Sequence, residues 1–333
     1  MITRPFDRRA FLRIAGASLG AGALYRVLPA VARGAEASDL ARNQVRAHGE
    51  ALAPFTFAQL SDTHVGFEGP PNPTGTRAFE RAVEVVQSLR PLPDLVLFTG
   101  DLTHDSEKPG EALRRMRRFR EIAGRIRGPQ IRMVPGEHDA GLDGGKLFRE
   151  VFGEPNYSFE HRGVHFVALD NVSRPKPEVG PDQRAWLEKD LSRFEPTTPI
   201  VVFTHRPLFD LRPDWEWFTR DGDAVMQILS RFENVTVLYG HIHREDVHET
   251  AHAHHYAARS LIFAFPDPAS NEPKKPLPFD PEQPFRGLGL RRVRAVPGAP
   301  PTAIDVSCDE IELTLAERSG TEGFQQLLRP TSL

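Results

Sequence analysis

The sequence predicts an α/β fold built on a mixed β-sheet, and three observations carry that prediction. From Phe55 to Tyr239, short apolar runs of strand length alternate with stretches of helical period. The run Leu95 to Phe98 is apolar at every position, as a strand buried on both faces would be. Two further runs, Tyr157 to Glu160 and Val164 to Leu169, meet at Arg162-Gly163 like the arms of a hairpin, which makes the sheet mixed.

In chain order, Phe55 and Phe57 alternate, with Leu60 closing the run, as in a strand that stops at Ser61-Asp62-Thr63-His64. Gly66 to Gly75 holds three prolines and reads as a loop. Thr76 to Arg90 sets Phe79, Val83 and Val86 on one helical face, and Pro91 ends it. The next strand, Asp94 to Thr99, leads to Gly100-Asp101. A helix over 109–126 repeats Leu113, Met116, Phe119, Ile122 and Ile126; Arg114, Arg115, Arg117, Arg118 and Arg120 fall opposite and read as a solvated face. Ile131 to Val134 is a third strand, leading to Gly136-Glu137-His138-Asp139. After the hairpin, Gln183, Trp186, Leu187 and Leu191 mark a helix. Ile200 to Phe203 is then a strand leading to His205, Asp223 to Phe232 a helix, and Val235 to Tyr239 a strand leading to Gly240-His241-Ile242-His243. Beyond it, Pro266 to Pro284 contains seven prolines and reads as irregular. Leu288 to Val296 and Asp309 to Leu315 are expected to be strands that extend the sheet.

Ahead of this core, Asp7-Arg8-Arg9-Ala10-Phe11-Leu12-Arg13 resembles a twin-arginine export signal. A mildly apolar stretch, Ile14 to Tyr25, follows it and is too short to span a bilayer; Ala30-Val31-Ala32 offers a small-x-small cleavage site. The expected organisation is a signal peptide over 1–32, a linker over 33–53 and one domain over 54–333. That domain has a core at 55–243 and a C-terminal extension, 244–333, that completes or caps the sheet. Export through the twin-arginine machinery to the periplasm, with the protein already folded, is the expected route. Cys308 is the only cysteine, which excludes an internal disulfide and a cysteine-rich zinc site. Removing five Arg and one Asp with residues 1–32 moves the formal charge from -3 to -3 - 4 = -7. So acidic a chain argues against a nucleic-acid or anionic-membrane partner.

Five polar segments, each following a strand, hold residue types suited to metals and protons. Asp62 and His64 are one residue apart, as are His241 and His243, and such pairs can converge on one ion just past a strand end. Asp101 follows a glycine, which lets the backbone approach a crowded centre. Singly, an Asp after a strand is usually a helix cap and a His there an ordinary hydrogen-bonding residue. Five in chain order are a pattern.

That pattern, Asp-x-His, Gly-Asp, Gly-Glu-His-Asp, a lone His after a strand and Gly-His-x-His, resembles the calcineurin-like metallophosphoesterases over residues 60 to 243, with cyclic-nucleotide phosphodiesterases among the likenesses. The resemblance implies a four-layer α-β-β-α sandwich, two mixed β-sheets flanked by helices, with two divalent metal ions at the strand ends. It implies that Asp62, His64 and His243 hold the first ion, that Asp101 bridges, and that Glu137, His205 and His241 hold the second. His138 would carry the proton beside them. A mixed imidazole and carboxylate shell suits Mn, Fe, Zn, Co or Ni. The implied chemistry is hydrolysis of a small phosphate ester by a hydroxide held between the ions, with no covalent enzyme intermediate. Purple acid phosphatases are excluded, because His64 and His104 stand where their pattern needs other residues.

The family usually has Asn where this chain has Glu137. Three carboxylates and two divalent ions sum to +4 - 3 = +1, which favours either a singly charged diester over a doubly charged monoester or a more highly charged ion at the second position; the alternative is that Glu137 points away and leaves a weaker second site. A phosphomonoesterase or a non-catalytic metal-binding scaffold is the alternative. His104 and Asp105 are expected to support the site or to form a turn, and Asp139 to orient His138. His248, His252, His254 and His255 read as an exposed loop. Trp215, Trp217 and Phe218 either pack a loop or stack on a substrate group.

Overall fold

The computed structural model describes residues 54–250, 252–297 and 304–314. The expected signal peptide and linker lie outside the described residues. In chain order the strands are β1 (Phe55–Leu60), β2 (Leu95–Thr99), β3 (Gln130–Val134), β4 (Tyr157–His161), β5 (Val164–Ala168), β6 (Ile200–Phe203), β7 (Val235–Tyr239), β8 (Asp246–Glu249), β9 (Ala253–Ala257), β10 (Gly289–Pro297) and β11 (Ile304–Glu312). The helices are α1 (Arg77–Ser88), α2 (Glu111–Ala123), α3 (Glu137–Ala140), α4 (Lys146–Phe152), α5 (Pro181–Leu191) and α6 (Gly222–Leu229).

The strands form two mixed sheets, ordered β11-β10-β1-β2-β3 and β4-β5-β6-β7-β9-β8. In the first, β1, β2 and β3 are parallel and β10 and β11 add on antiparallel. In the second, β5, β6, β7 and β9 are parallel and flanked by antiparallel β4 and β8. Residue-by-residue reading pointed to a single mixed sheet; the family likeness pointed to two, and two are present.

The central strands are largely apolar because they are covered on both sides. On β1 and β2, Ala58, Leu60, Val96 and Phe98 face α1 and α2, where Phe79 stacks on Phe119 at 5.3 Å and Phe98 meets Phe119 edge-on at 5.0 Å. The alternate residues turn to the other sheet: Phe57 meets Phe166 of β5 edge-on at 5.6 Å. On the far side, Ile200, Val202, Val235 and Val237 pack with Leu187 and Leu191 of α5 and Val225 and Leu229 of α6. Two buried polar ties also join the sheets. Gln59 on β1 donates to the Tyr239 carbonyl at 2.9 Å, and Arg291 on β10 to the Ala257 carbonyl at 2.6 Å. The resulting layers are helix, sheet, sheet, helix.

Sequence periodicity did not reveal β8 and β9. Asp246 to Glu249 and Ala253-His254-His255-Tyr256-Ala257 lack the β-branched and aromatic runs that signal a strand; β9 forms because β7 offers it a parallel edge from Val235 to Tyr239. The loop expected at the four histidines is corrected accordingly. His255 is fully buried under Phe209, and His248 stacks on Phe209 at 3.9 Å. β11 begins at Ile304, five residues before the expected Asp309. Among the described residues no helix is long and apolar enough to cross a membrane.

Candidate metal centre

All five polar segments follow the carboxyl ends of parallel strands, where open α/β sheets collect ligands. Asp62 and His64 follow β1, Asp101 follows β2, Glu137 and His138 follow β3, His205 follows β6, and His241 and His243 follow β7. The backbone there is strained. Asp62, His64, Asp101, His241 and His243 have φ of 52°, 40°, 47°, 68° and 54°, a left-handed region that costs side-chain-bearing residues of order 1 kcal/mol or more each. Hydrogen bonds hold these bends. His64 N donates to Asp101 O at 2.9 Å, Asp62 N to Gly100 O at 3.1 Å, and His241 N to the Asp62 carboxylate at 3.1 Å. Two glycines permit the crowding: a Cβ on Gly136 would lie 2.0 Å from Asp101 Oδ1, and one on Gly240 1.9 Å from Ser61 Oγ.

The side chains converge on two adjoining points. Asp62, His64, Asp101 and His243 form one buried cluster, and Glu137, His205 and His241 another. In the first, His64 Nε2 is 3.2 Å from His243 Nε2 and 3.3 Å from Asp101 Oδ2, and His243 Nε2 is 3.3 Å from Asp62 Oδ1. In the second, Glu137 Oε2 is 2.8 Å from His205 Nε2 and Glu137 Oε1 is 2.8 Å from His241 Nδ1. Asp101 Oδ2 faces both, at 3.3 Å from His64 Nε2 and 3.4 Å from His205 Nε2. Carbonyls at the rear set the imidazoles. His205 Nδ1 meets Thr99 O at 2.7 Å, His243 Nδ1 meets Phe263 O at 2.9 Å, and His241 Nε2 meets Glu216 O at 3.2 Å. Each such bond aims the other ring nitrogen inward.

This donor set fits cations. His205 Nε2 and Glu137 Oε2 are buried, 2.8 Å apart and yet without a hydrogen-bond partner, as two lone pairs directed at a common third point would be. Burial opposes ionisation of Glu137, but His241, His205 and Arg206 outweigh it and hold the carboxyl well below its usual range. Burial pushes His64 far below its ordinary value, with His138 and His243 adding to the effect, so its imidazole is neutral as a ligand must be. His205 moves the other way: burial lowers it, while Asp101 and Glu137 raise it well above the ordinary value. The two carboxylates that raise it would equally draw a cation to Nε2.

Glu137 turns into the second cluster instead of away from it. Beside it lies Arg206, only 8% exposed, with Nη2 3.4 Å from Glu137 Oε1, Nη1 donating to Glu216 O at 2.8 Å, and Nε without a partner. Lys274, from the proline-rich segment, donates to the Trp215 carbonyl at 2.5 Å. Neither cation was assigned a role from sequence, although Arg206 directly follows His205. Adding Arg206 to the three carboxylates and two divalent ions gives +4 - 3 + 1 = +2. The charge count alone therefore does not separate monoester from diester.

His138 is held differently from the sequence expectation. Its Nδ1 lies 2.5 Å from Asp105 Oδ1, and its ring stacks on His104 at 4.5 Å, while His104 Nδ1 reaches His64 Nδ1 at 3.1 Å. Asp139 does not orient it. Its carboxylate instead accepts from Leu102 N, Thr103 N, Thr103 Oγ1 and Gly136 N at 2.8–2.9 Å, locking the Asp101 turn to α3. Adjacent residues project apart, so the more distant Asp105 is the one within reach. Burial lowers the His138 pKa, but Asp101, Glu137 and the Asp105 contact raise it further, to about 9. Burial, then Asp101, pushes Asp139 up to about 6. Within the arginine-rich face of α2, Arg115 fastens this corner by donating to the His104 and Asp105 carbonyls at 3.0 and 2.9 Å. Its neighbours Arg114 and Arg118 pair with Glu111, Glu80 and Glu121.

The tryptophans pack a loop. Trp215 and Trp217 are buried and meet edge-on at 4.8 Å, against Tyr239 and Ile242. Phe218 is half-buried.

With the geometry in view, comparison with known proteins is informative. The family described as calcineurin-like phosphoesterase matches residues 55–245. The chain is 28% identical over 200 residues to a probable glycerophosphodiester phosphodiesterase of Arcobacter nitrofigilis, covering 56% of this chain and 71% of that one. It is 24% identical over 221 residues to a 3',5'-cyclic-nucleotide phosphodiesterase of Nostoc, covering 64% and 80%. A solved dimetal phosphatase from Danio rerio superposes with a TM-score of 0.51 at 14% identity, over 74% of this chain and 96% of that one, a likeness of fold alone. With its two carboxylate–histidine clusters at the strand ends, the chain thus belongs to the calcineurin-like phosphoesterases and is a metal-dependent hydrolase of phosphate esters.

Proposed function

We propose that the protein hydrolyses phosphodiesters at a centre of two divalent cations. The first would be held by Asp62, His64 and His243, the second by Glu137, His205 and His241, and Asp101 would be shared. The observation that carries this reading is the position of Asp101 Oδ2, nearly equidistant from His64 Nε2 and His205 Nε2 at 3.3 and 3.4 Å. Divalent cations supply Lewis acidity, polarising phosphoryl oxygens and lowering the pKa of water, and this mixed shell suits Mn, Fe, Zn, Co or Ni.

The chain itself does the rest. Asp105 orients His138, whose second ring nitrogen is left to give a proton to the departing ester oxygen. Asp139 keeps the Asp101 turn and the Glu137 helix in register. The two sequence relatives named as phosphodiesterases support a diester substrate. Arg206 and Lys274, which bring positive charge to the Glu137 side, favour the monoester as the second reading.

The test is turnover of bis(4-nitrophenyl) phosphate and 4-nitrophenyl phosphate by the Mn-loaded protein, with His138→Ala as control. Diester hydrolysis that falls at least a hundredfold in the variant supports the reading. Binding of metal without turnover of either ester sinks it and leaves a metal-binding scaffold.

Arg8-Arg9, the apolar stretch after them and Ala30-Val31-Ala32 support export by the twin-arginine route to the periplasm. A reporter fused behind residues 1–32 should be exported, and Arg8→Lys with Arg9→Lys should retain it in the cytoplasm. Export of the double variant would refute that route.

A further inference from the structure

On one side, away from His138, the rim of the first cluster is lined by phenyl rings, whereas cations line the second. Phe263 lies 4.7 Å from the His243 ring and stacks over His64 at 6.1 Å with the planes 24° apart. Phe67 meets Phe263 edge-on at 5.2 Å and His104 edge-on at 5.1 Å. Phe265 completes the row, 5.0 Å from His243. All three phenyl rings are only half-buried, whereas Phe57, Phe79, Phe98, Phe119 and Phe166 are fully buried in the core.

The wall is also braced. Phe67 belongs to the loop after β1 and Phe263 to the segment after β9, so the two come from different sheets. Asn72, 3% exposed, ties them together. Its amide donates to Ile262 O at 2.7 Å, while its side-chain oxygen accepts from Thr74 N and Thr74 Oγ1 at 2.9 and 2.6 Å.

Resting on the phosphoesterase reading, we propose that this wall forms a subsite for a flat aromatic group carried on the ester, with Phe67 and Phe263 as the residues that select it. A ring laid there gains stacking on phenyl faces and loses contact with water. A glycerol or sugar group would set its hydroxyls against phenyl faces, which replace lost water poorly. The preferred substrates are therefore esters in which an aryl or heteroaryl ring stands within a few bonds of phosphorus.

Two small anions that differ only in this group provide the test, phenyl phosphate and methyl phosphate, titrated calorimetrically into the Mn-loaded protein alongside the diester assay. Phenyl phosphate is expected to bind about tenfold more tightly, and Phe67→Ala and Phe263→Ala to bring the ratio close to one at unchanged metal content. Phe67 touches His104 and Phe263 but none of the candidate ligands by its ring, so Phe67→Ala carries the test if Phe263→Ala disturbs His243. A wild-type ratio near one, or variants that weaken both anions equally, overturns the subsite. Selective binding of phenyl phosphate without turnover of any diester keeps the subsite and overturns the proposed activity instead.

Discussion

Replacing Glu137 by Asn tests the charge of the second cluster directly. The carboxylate oxygens lie 2.8 Å from His205 Nε2 and His241 Nδ1, so any phosphoryl group bound at the centre is close to them. At a separation of roughly 6 Å and an effective dielectric of about 20, a carboxylate repels the second negative charge of a monoester by roughly 3 kcal/mol. The Glu137 side chain is 28% exposed, and solvent screening reduces that figure by about half. The remaining ~1.4 kcal/mol is close to tenfold. Glu137→Asn also leaves Arg206 without its carboxylate partner, which attracts the monoester further. The ratio of kcat/KM for 4-nitrophenyl phosphate to that for bis(4-nitrophenyl) phosphate should therefore rise about tenfold. Metal content measured on the same samples separates this from loss of the second ion, and Arg206→Met should move the ratio the other way. A ratio that stays within about twofold in Glu137→Asn, with metal retained, would refute the electrostatic argument.

Three further outcomes are expected. Gly136→Ala drives a methyl group into Asp101 Oδ1, and the purified variant should bind substoichiometric metal by elemental analysis while keeping its far-ultraviolet circular dichroism. Asp105→Asn removes the anion that orients His138 and should lower kcat about tenfold or more with little change in KM, as steady-state kinetics would show. His255 links pH to stability: burial, with His248 and His254 nearby, lowers its pKa to about 4. Its folded pKa is thus below the unfolded value of about 6.5, so its contribution is complete above that pH and is lost as pH falls from about 6.5 to 4, up to about 3 kcal/mol. Urea midpoints at pH 8 and pH 5 should differ less in His255→Leu than in the parent; an equal difference would show that another group is responsible.

Much of the fold was legible because its central strands are covered on both sides and its helices on one. Ile200 to Phe203 and Val235 to Tyr239 are read to the residue, and the Arg162-Gly163 hairpin lies where expected. The candidate ligands were visible for a related reason: each stands immediately after an apolar run. What sequence spacing could not carry was contact between distant segments. Asp105 reaches His138 from the loop after β2, Arg115 holds that loop from α2, and Phe263 lies over His64 from 199 positions further on. β8 and β9 were missed because β9 depends on the edge of β7 and β8 on that of β9, and their own composition gives no sign of it.

The centre has a mechanical side. Asp62, His64, Asp101 and Glu137 hang from the first sheet, and His205, His241 and His243 from the second, so each cluster draws donors from both. An ion in either position would act as a rivet between layers that are otherwise joined by side-chain packing and a few ties such as Gln59 to Tyr239. Sliding one sheet past the other would then stretch metal–ligand bonds before it disturbed the core. Hydrogen exchange of amides at the strand ends would accordingly report metal occupancy.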